Sequence, residues 1–294
     1  MRIEISSVTH TGCVRSDNED AIGVCADLAR GYWFPEPCNT SIDLTAHMQA
    51  VAVVADGVGG HNDGEVASAM AIDTFREQLT PIDSTTENED FHAHLSQVLA
   101  MADNRILADS VDHPDRRGMG TTLVACWTAH DAAHVMWCGD SRCYRYSPQN
   151  GLQLLTHDHT HVQQLVDSGA IAPEDAQQHP ESHVITRGCG DLDCPCLPDF
   201  ADEPLHAGNM LLLCSDGLIA CCTDAEIERI MLSHQGDTAA CRDALLQAAL
   251  AAGAPDNVSI VVMTCIDNNN DNASTASTTG CWHKLCRCIK SLFS

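Results

Sequence analysis

Short apolar runs recur along this chain, and several of them stop at an aspartate that is followed by glycine. The clearest is residues 51–55, which lead directly into Asp56-Gly57 and a glycine-rich turn. A run this short, rich in β-branched residues, is typical of a strand that is covered on both faces. From Gly64 the apolar residues recur at helical spacing until Pro81. The pattern therefore predicts a strand, a tight turn and a helix around Asp56.

The middle of the chain combines a long helix with several short strands. Apolar residues fall at helical spacing over residues 91–106. Residues 27–47 contain glycine and prolines without steady periodicity, which predicts a connecting loop or hairpin. Four short apolar segments separated by turns predict an antiparallel meander, and they are residues 118–127, 132–139, 143–146 and 152–155.

The last third of the pattern repeats the arrangement around Asp56. A helix is predicted over residues 158–168, and residues 160–185 as a whole are expected to form a surface flap. The fully apolar run 210–214 then leads into Asp216-Gly217. The remaining predictions are a helix with a capping box at residues 223–226, a helix over about residues 237–252 and a strand over residues 258–264.

Composition indicates a soluble globular protein with an acidic surface. The chain has 294 residues, 44% of them hydrophobic, which is enough for a substantial core. Its formal net charge is −26. Such a surface repels phosphate backbones, so we expect no nucleic-acid partner. Part of the excess charge could instead be carboxylates gathered around a divalent cation.

Cysteine is abundant, with 17 residues. The N-terminus lacks the apolar core of a secretory signal, so we expect reduced thiols and a cytoplasmic protein. Cys189 with Cys194-Pro-Cys196, and the Cys221-Cys222 pair, could bind a soft metal. Without a second Cys-x-x-Cys motif or matching histidines, however, the sequence does not favour a structural zinc site.

Carboxylates at the ends of apolar strands are the strongest chemical signal. Arg15, Glu19 and Asp20 lie between two predicted strands, where they either converge on one site or form an exposed turn with a surface ion pair. Each aspartate after a strand could be an ordinary turn residue. Together these groups favour a cluster that binds Mg²⁺ or Mn²⁺, since hard cations prefer oxygen ligands. The set comprises Glu19, Asp56, Asp140, Asp216 and Asp256.

With these residues in place, the chain resembles the metal-dependent Ser/Thr protein phosphatases of the 2C type, and their bacterial branch in particular. The resemblance covers residues 5–266 and depends on the order of its motifs rather than on any one of them. It implies an α+β fold, a four-layer α/β/β/α sandwich of two antiparallel sheets flanked by helices, with a binuclear metal site at one edge of the sheets. The motifs are residues 15–20, 56–61 with Gly64-Glu65, 118–122, 139–142, 156–159, 184–187, 215–217 and 256–257.

The same resemblance implies a metal-binding role for the matched residues. Asp56 would bridge two Mn²⁺ or Mg²⁺ ions, and the Gly57 carbonyl would ligate one of them. Asp216 and Asp256 would hold the other ion. Glu19 would act largely through bound water.

A third, weaker cation and the substrate phosphate are also implied. Asp140 together with Asp216 would match the third cation, and Arg15 would match the residue that grips the phosphate. The animal enzymes carry a histidine after Asp-Gly, whereas this chain has Val58. His61 is the nearest substitute, either as the acid for the leaving group or only as a residue that orients water.

The implied reaction is hydrolysis of phosphoserine and phosphothreonine in proteins by direct attack of a hydroxide that bridges the two metals. A catalytically weak binding or regulatory module of the same fold is the alternative, although none of the metal carboxylates is missing. A two-metal nuclease would use similar ligands, but the acidic charge opposes it. The implied partners are phosphoprotein substrates and a Ser/Thr kinase with the same targets, and we expect a monomer.

The C-terminal end changes character. We expect residues 1–266 to be the catalytic domain, residues 267–280 a flexible linker and residues 281–294 a cysteine-rich, basic, amphipathic tail. A helix of this kind can lie at a membrane interface, and its cysteines could be acylated. A docking helix for a protein partner and a disordered end are the alternatives.

Overall fold

The computed structural model shows helices packed on the outside of two sheets. It describes residues 1–35, 41–46, 49–59, 63–81, 88–129, 131–176, 179–190 and 194–267. The strands are β1 (Arg2–His10), β2 (Asp20–Asp27), β3 (Tyr32–Pro35), β4 (Ser41–Ala46), β5 (Ala50–Val58), β6 (Gly120–Thr121), β7 (Leu123–Ala129), β8 (Ala132–Cys138), β9 (Arg142–Ser147), β10 (Gly151–Leu154), β11 (Asp199–Pro204), β12 (Met210–Cys214) and β13 (Val258–Ile266). The helices are α1 (Gly64–Gln78), α2 (Asn88–Asp112), α3 (His161–Asp167), α4 (Pro173–Ala176), α5 (Asp216–Ile219), α6 (Asp224–Ser233) and α7 (Thr238–Ala251), with short 3-10 helices at Leu28–Arg30 and Pro114–Arg116.

The strands of the described residues form two antiparallel sheets. One has six strands in the order β10-β9-β12-β13-β1-β4. The other has seven, in the order β11-β8-β7-β5-β2-β3 with β6 paired to β5. Helices α1 and α2 pack on the seven-stranded sheet, and α6 and α7 pack on the six-stranded sheet. The predicted α/β/β/α sandwich is therefore confirmed.

Strand β5 shows why the central apolar run is continuous. Val51 and Val53 belong to the core beneath α1 and α2, whereas Ala52 and Val54 belong to the core between the two sheets. All four are fully buried. Successive side chains of a strand point to opposite faces, so a strand covered on both sides must be apolar at every position. Hydrophobic burial thus fixes β5 and places Asp56 near its end.

The predicted helices of the C-terminal part are confirmed. The Thr223 side chain accepts the Glu226 backbone N–H, and Glu226 Oε2 accepts the Thr223 backbone N–H at 2.9 Å, which completes the capping box of α6. Asp237 caps α7 by accepting the Ala240 N–H at 2.9 Å. The predicted flap contains α3 and α4.

The meander prediction is wrong in one respect, because its four strands do not share a sheet. Strands β7 and β8 belong to the seven-stranded sheet, whereas β9 and β10 belong to the six-stranded sheet. The chain changes sheets between Cys138 and Arg142, where Gly139 has φ +119° and a Cβ would overlap the Thr122 side chain. Glycine alone accepts that backbone without strain. Asp140 therefore lies in the crossing between the sheets.

The described part of residues 27–47 contains two edge strands, where the sequence predicted a connecting loop or hairpin. Strand β3 pairs with β2 at one edge of the seven-stranded sheet, and β4 pairs with β1 at an edge of the six-stranded sheet. An edge strand is held by backbone hydrogen bonds on one side only, so it tolerates proline and needs no apolar alternation. The apolar pattern consequently gave no signal for either strand.

The described domain ends with β13 at Ile266. Residues 268–294, which include most of the predicted linker and the whole predicted tail, lie outside the described residues. None of the helices within the described ranges has the length and apolar character needed to cross a bilayer.

Candidate metal centre

The topology brings the predicted carboxylates to one edge of the sheets. Asp20 and Asp56 face each other across the β2–β5 pair. Asp216 begins α5 directly after β12, and Asp256 precedes β13, the antiparallel neighbour of β12. The end of one strand and the start of its antiparallel neighbour lie at the same edge. Asp140, in the crossing between the sheets, completes the group.

These carboxylates lie close enough to disfavour one another's ionisation. Burial, followed by the charges of Asp20, Asp216, Asp140 and Asp256, raises the pKa of Asp56 well above its usual range. Burial also raises the pKa of Asp20 to about 7, that of Asp140 to about 8 and that of Asp216 to about 6, and neighbouring aspartate charges add to each shift. Desolvation and like charges both penalise the ionised form. The cluster therefore favours a cation that would offset this charge.

The residues present fit a hard divalent cation. Asp20 Oδ2 accepts a hydrogen bond from Ser215 at 2.8 Å, but its buried Oδ1 has no partner among the described residues. A buried carboxylate oxygen without a partner is costly, and a positive charge in the cluster would stabilise it. The donors are carboxylate oxygens and the Gly57 carbonyl oxygen, which suit Mg²⁺ or Mn²⁺ rather than a thiophilic metal. Sequence reasoning noted Asp20 in the Arg15 loop but did not place it among the site residues.

Asn257 fixes the loop that carries Glu19, and sequence reasoning missed this role. Its Oδ1 accepts the Glu19 backbone N–H at 2.8 Å, and its Nδ2 donates to the carbonyls of Thr11 and Asp17, both at 2.9 Å. Asn257 is 4% exposed. One buried amide thus ties three points of the loop to the start of β13. The only sequence signal was its position next to Asp256.

Gly217 permits the close approach that sets Asp216 in place. A Cβ at this position would overlap the backbone carbonyl oxygen of Asn257. Residues larger than glycine would therefore push the start of α5 away from β13. The Asp216 side chain hydrogen-bonds with Asp56, and burial, followed by the charges of Asp256 and Asp158, raises the pKa of Asp216.

Arg15 reaches the cluster from its open side. Its Nη2 lies 2.7 Å from Asp256 Oδ2, and its side chain is 48% exposed. The hydrogen bond to Asp256 is the largest cause of the raised pKa of Arg15. The charges of Asp256, Glu19 and Asp216 raise it further. The loop thus carries an exposed ion pair, and the partner of Arg15 is a carboxylate of the cluster. Nearly half of the guanidinium side chain remains available to a ligand.

The Arg142–Asp158 ion pair lies next to Asp140, and the sequence did not reveal it. Arg142 clasps Asp158 in a two-pronged contact, with Nε to Oδ1 at 2.9 Å and Nη2 to Oδ2 at 2.7 Å. The Asp158 charge contributes to the raised pKa of Asp140, after burial and Asp216. Ser141 Oγ and Thr122 Oγ1, 2.8 Å apart, hold the same turn from the other side. The turn is therefore rigid on both sides of Asp140.

The backbone around Gly57 is held tightly, whereas His61 lies outside the described residues. The Gly57 N–H donates to the Glu19 carbonyl at 3.1 Å. The preceding carbonyl, of Asp56, accepts the Thr121 hydroxyl and the Thr122 N–H, both at 2.9 Å. These bonds fix the chain where Asp56 and the Gly57 carbonyl would act as ligands.

The chain is similar to protein phosphatase 2C domains and to bacterial serine/threonine phosphatases. The family model described as protein phosphatase 2C matches residues 37–259. The serine/threonine protein phosphatase PstP of Mycobacterium tuberculosis is 33% identical over 87% of this chain, which spans only 44% of the PstP length. The serine/threonine phosphatase stp of Listeria monocytogenes is 32% identical over 73% of this chain and 84% of that protein. A crystal structure of the PstP catalytic domain in complex with two manganese ions matches with a TM-score of 0.71 and 30% identity, covering 91% of this chain and all of that one.

Proposed function

Because this chain belongs to the protein phosphatase 2C family, we propose that it hydrolyses phosphoserine and phosphothreonine in proteins with the help of two divalent cations. The observation that carries the proposal is the convergence of Asp56, Asp216 and Asp256 beside Arg15. Asp56 and Asp216 are buried carboxylates with raised pKa values, and together with a half-exposed guanidinium they suit a site that takes up cations and a phosphate group. The related PstP catalytic domain with manganese supports Mn²⁺ as one suitable ion, and Mg²⁺ is the other.

Each carboxylate has a proposed part in holding the cations. Asp56, the Gly57 carbonyl, Asp216 and Asp256 would hold the two ions. Glu19, whose backbone N–H donates to Asn257 Oδ1 at 2.8 Å, would act through bound water. The cations, when bound, activate a water for attack on phosphorus and offset the charge of the attacking and leaving oxygens.

Arg15 positions the phosphate. In the structure its guanidinium is paired with Asp256. The Arg15 side chain is 48% exposed, and the planar guanidinium would offer two N–H donors to two phosphate oxygens. That geometry orients the phosphorus atom for in-line attack, and lysine could not reproduce it.

A third cation and the leaving-group acid complete the proposal. Asp140 and Asp216, whose charges act on each other, would hold a weaker third ion. His61 would either protonate the leaving oxygen or orient water. Replacement of His61 by alanine separates these roles. If His61 is the acid, the fall in kcat should be larger for substrates with more basic leaving groups. If His61 only orients water, the fall should be the same for all of them.

The proposed activity is tested with two substrates. We expect the full chain with Mn²⁺ to release phosphate from a phosphothreonine peptide, to leave a phosphodiester such as bis(p-nitrophenyl) phosphate essentially uncleaved, and to lose activity when the metal is chelated. A protein that binds the peptide without hydrolysing it would be the binding module. Preferential cleavage of the diester would indicate a nuclease.

Cation binding should stabilise the protein more as pH rises. The pKa values of Asp20, Asp140 and Asp216 are raised in the folded, metal-free chain, so folding disfavours their ionisation. The metal-free protein should therefore lose stability as pH rises from about 4 to about 8. Mn²⁺ at about 100 times its dissociation constant adds about 2.7 kcal/mol, or a rise of roughly 5–10 °C in Tm.

Differential scanning fluorimetry with and without chelator measures this effect. The Mn²⁺-induced rise in Tm should be larger at pH 8 than at pH 5, because fewer protons compete for the carboxylates at the higher pH. An equal rise at both pH values would show that the ion binds elsewhere.

The partners beyond the substrate follow from the same proposal. Phosphoproteins modified by a Ser/Thr kinase are the natural substrates, and the domain acts as a monomer in the cytoplasm. The tail at residues 281–294 would add a peripheral membrane contact. Co-sedimentation with anionic liposomes should be greater for the intact chain than for a chain that ends at Gly280, and equal sedimentation would leave the tail as a docking segment or a passive end.

A further inference from the structure

Three cysteines from separate parts of the sequence meet behind the carboxylate cluster. Cys138 ends β8, while Cys189 and Cys196 belong to the segment between α4 and β11. Their Sγ atoms all lie within 4.8 Å of one another. Cys138 and Cys189 are fully buried, and Cys196 is partly exposed. Sequence reasoning grouped Cys189 with Cys194 and Cys196, but Cys194 Sγ faces the Ile185 carbonyl at 3.6 Å, and Cys138 takes its place in the group.

The backbone presents two of these thiols in fixed positions. Cys138 belongs to a strand that is paired on both sides, with Leu123 opposite it in β7. Cys189 is locked to Thr121 by two backbone hydrogen bonds of 2.9 Å each. A ligand set whose backbone is already ordered loses little entropy when it binds a metal. The backbone of Cys138 and Cys189 is therefore preorganised.

Three thiols converge on one point, one more than a disulfide uses. Cys189 Sγ and Cys196 Sγ lie 2.6 Å apart. Two sulfurs bound at about 2.3 Å to one tetrahedral cation lie roughly 3.7 Å apart, so the partly exposed Cys196 side chain would move away from Cys189 on binding. The three cysteines supply three of the four ligands of such a site.

We propose that Cys138, Cys189 and Cys196 bind a thiophilic d¹⁰ cation such as Zn²⁺. The soft sulfur donors select it, just as the hard carboxylates select Mn²⁺ or Mg²⁺, so one domain separates two classes of metal by ligand chemistry. His159 contacts Cys138 and accepts the Gly139 N–H at Nδ1, 3.1 Å away, so it orients the ligand at the end of β8. Each cysteine releases its thiol proton on binding.

The site would connect the segment between α4 and β11 to the chain around Asp56 and Asp140. Cys138 lies two residues before Asp140, and Cys189 is bonded through its backbone to Thr121, whose hydroxyl donates to the Asp56 carbonyl at 2.9 Å. A bound cation joins these elements to Cys196 on the segment that leads into β11. Its role is structural, because none of the three sulfurs belongs to the carboxylate cluster.

Cobalt substitution tests the proposal, since Co²⁺ bound to thiolates gives an intense near-ultraviolet charge-transfer band that Co²⁺ bound to carboxylates lacks. The full chain, reduced and freed of metal, should develop this band on titration with Co²⁺ and lose it when one equivalent of Zn²⁺ is added. Cys196→Ser should weaken Zn²⁺ binding by at least about tenfold, since even the partners of metal ligands change affinity by 10–100-fold. Cys194→Ser, a neighbour outside the group, should bind as the unmodified chain does.

The outcomes separate this site from the phosphatase centre. Asp216→Asn should keep the charge-transfer band, whatever happens to phosphatase activity. Absence of the charge-transfer band in the unmodified chain would overturn the proposal. It would also be overturned if Cys196→Ser bound Co²⁺ with the same affinity as the unmodified chain. A Cys189–Cys196 disulfide found by mass spectrometry in protein prepared under reducing conditions would replace it with a redox pair.

Discussion

Replacing Asp216 with asparagine is expected to lower kcat on a phosphothreonine peptide by on the order of a thousandfold, because charge stabilisation by a metal site contributes several kcal/mol. Asp216 hydrogen-bonds with Asp56, and the Asp256 charge acts on it strongly. Asparagine keeps the size of the side chain but removes the charge that the proposed cations require. Steady-state kinetics at saturating Mn²⁺, together with the Mn²⁺ content of the purified protein, measure the effect.

Stability separates loss of metal from damage to the fold. Burial and neighbouring charges raise the pKa of Asp216 to about 6, so at pH 8 the side chain is ionised and its charge destabilises the metal-free fold. Asp216→Asn should therefore raise the Tm of the chelated protein while abolishing most of the response to Mn²⁺. Asp90→Asn, which removes one exposed charge from α2, is the matched control and should leave both unchanged. Full activity in Asp216→Asn would rule out the metal assignment.

Arg15→Ala is expected to raise KM for the phosphopeptide by about 10–100-fold, since a hydrogen bond to a charged group contributes roughly 1.5–3 kcal/mol and each 1.4 kcal/mol is tenfold. Arg15→Lys should recover only part of the loss, because an ammonium cannot bind two phosphate oxygens in one plane. Substrate kinetics at fixed Mn²⁺ give the comparison.

The Arg15–Asp256 ion pair adds an expectation that the sequence alone did not provide. Arg15 Nη2 lies 2.7 Å from Asp256 Oδ2, so Arg15 competes with a cation for that carboxylate. Mn²⁺ should therefore bind Arg15→Ala at least as tightly as it binds the unmodified chain. If Arg15→Ala lost Mn²⁺ while KM stayed the same, Arg15 would be a support for the metal site and not a phosphate ligand.

The sequence predicted those features that depend on local periodicity and burial. Residues 50–55 of β5 are all apolar because both faces of the strand are covered, and this made Asp56 visible as the residue that follows the apolar run. The capping box at Thr223 and Glu226 is encoded within four adjacent residues, so the start of α6 was predicted correctly. The ordered series of motifs then identified the family.

Other features depend on contacts between distant residues, which local patterns do not encode. Periodicity predicted strands at β8 and β9 but could not show that the chain changes sheets between them. The three hydrogen bonds of Asn257 join residues about 240 positions apart. Cys138 lies 51 positions before Cys189 in the sequence, so spacing alone grouped Cys189 with Cys194 and Cys196 instead. Tertiary packing decided each of these cases.

Anomalous diffraction from crystals grown with Mn²⁺ tests the central claim most directly. Data collected on either side of the manganese absorption edge locate the ions without assumptions about the protein. The account predicts two adjacent peaks that share the Asp56 carboxylate, one of them bound by Asp216 and Asp256 and the other by the Gly57 carbonyl. Active protein whose manganese lies away from Asp56 and Asp216 would contradict it.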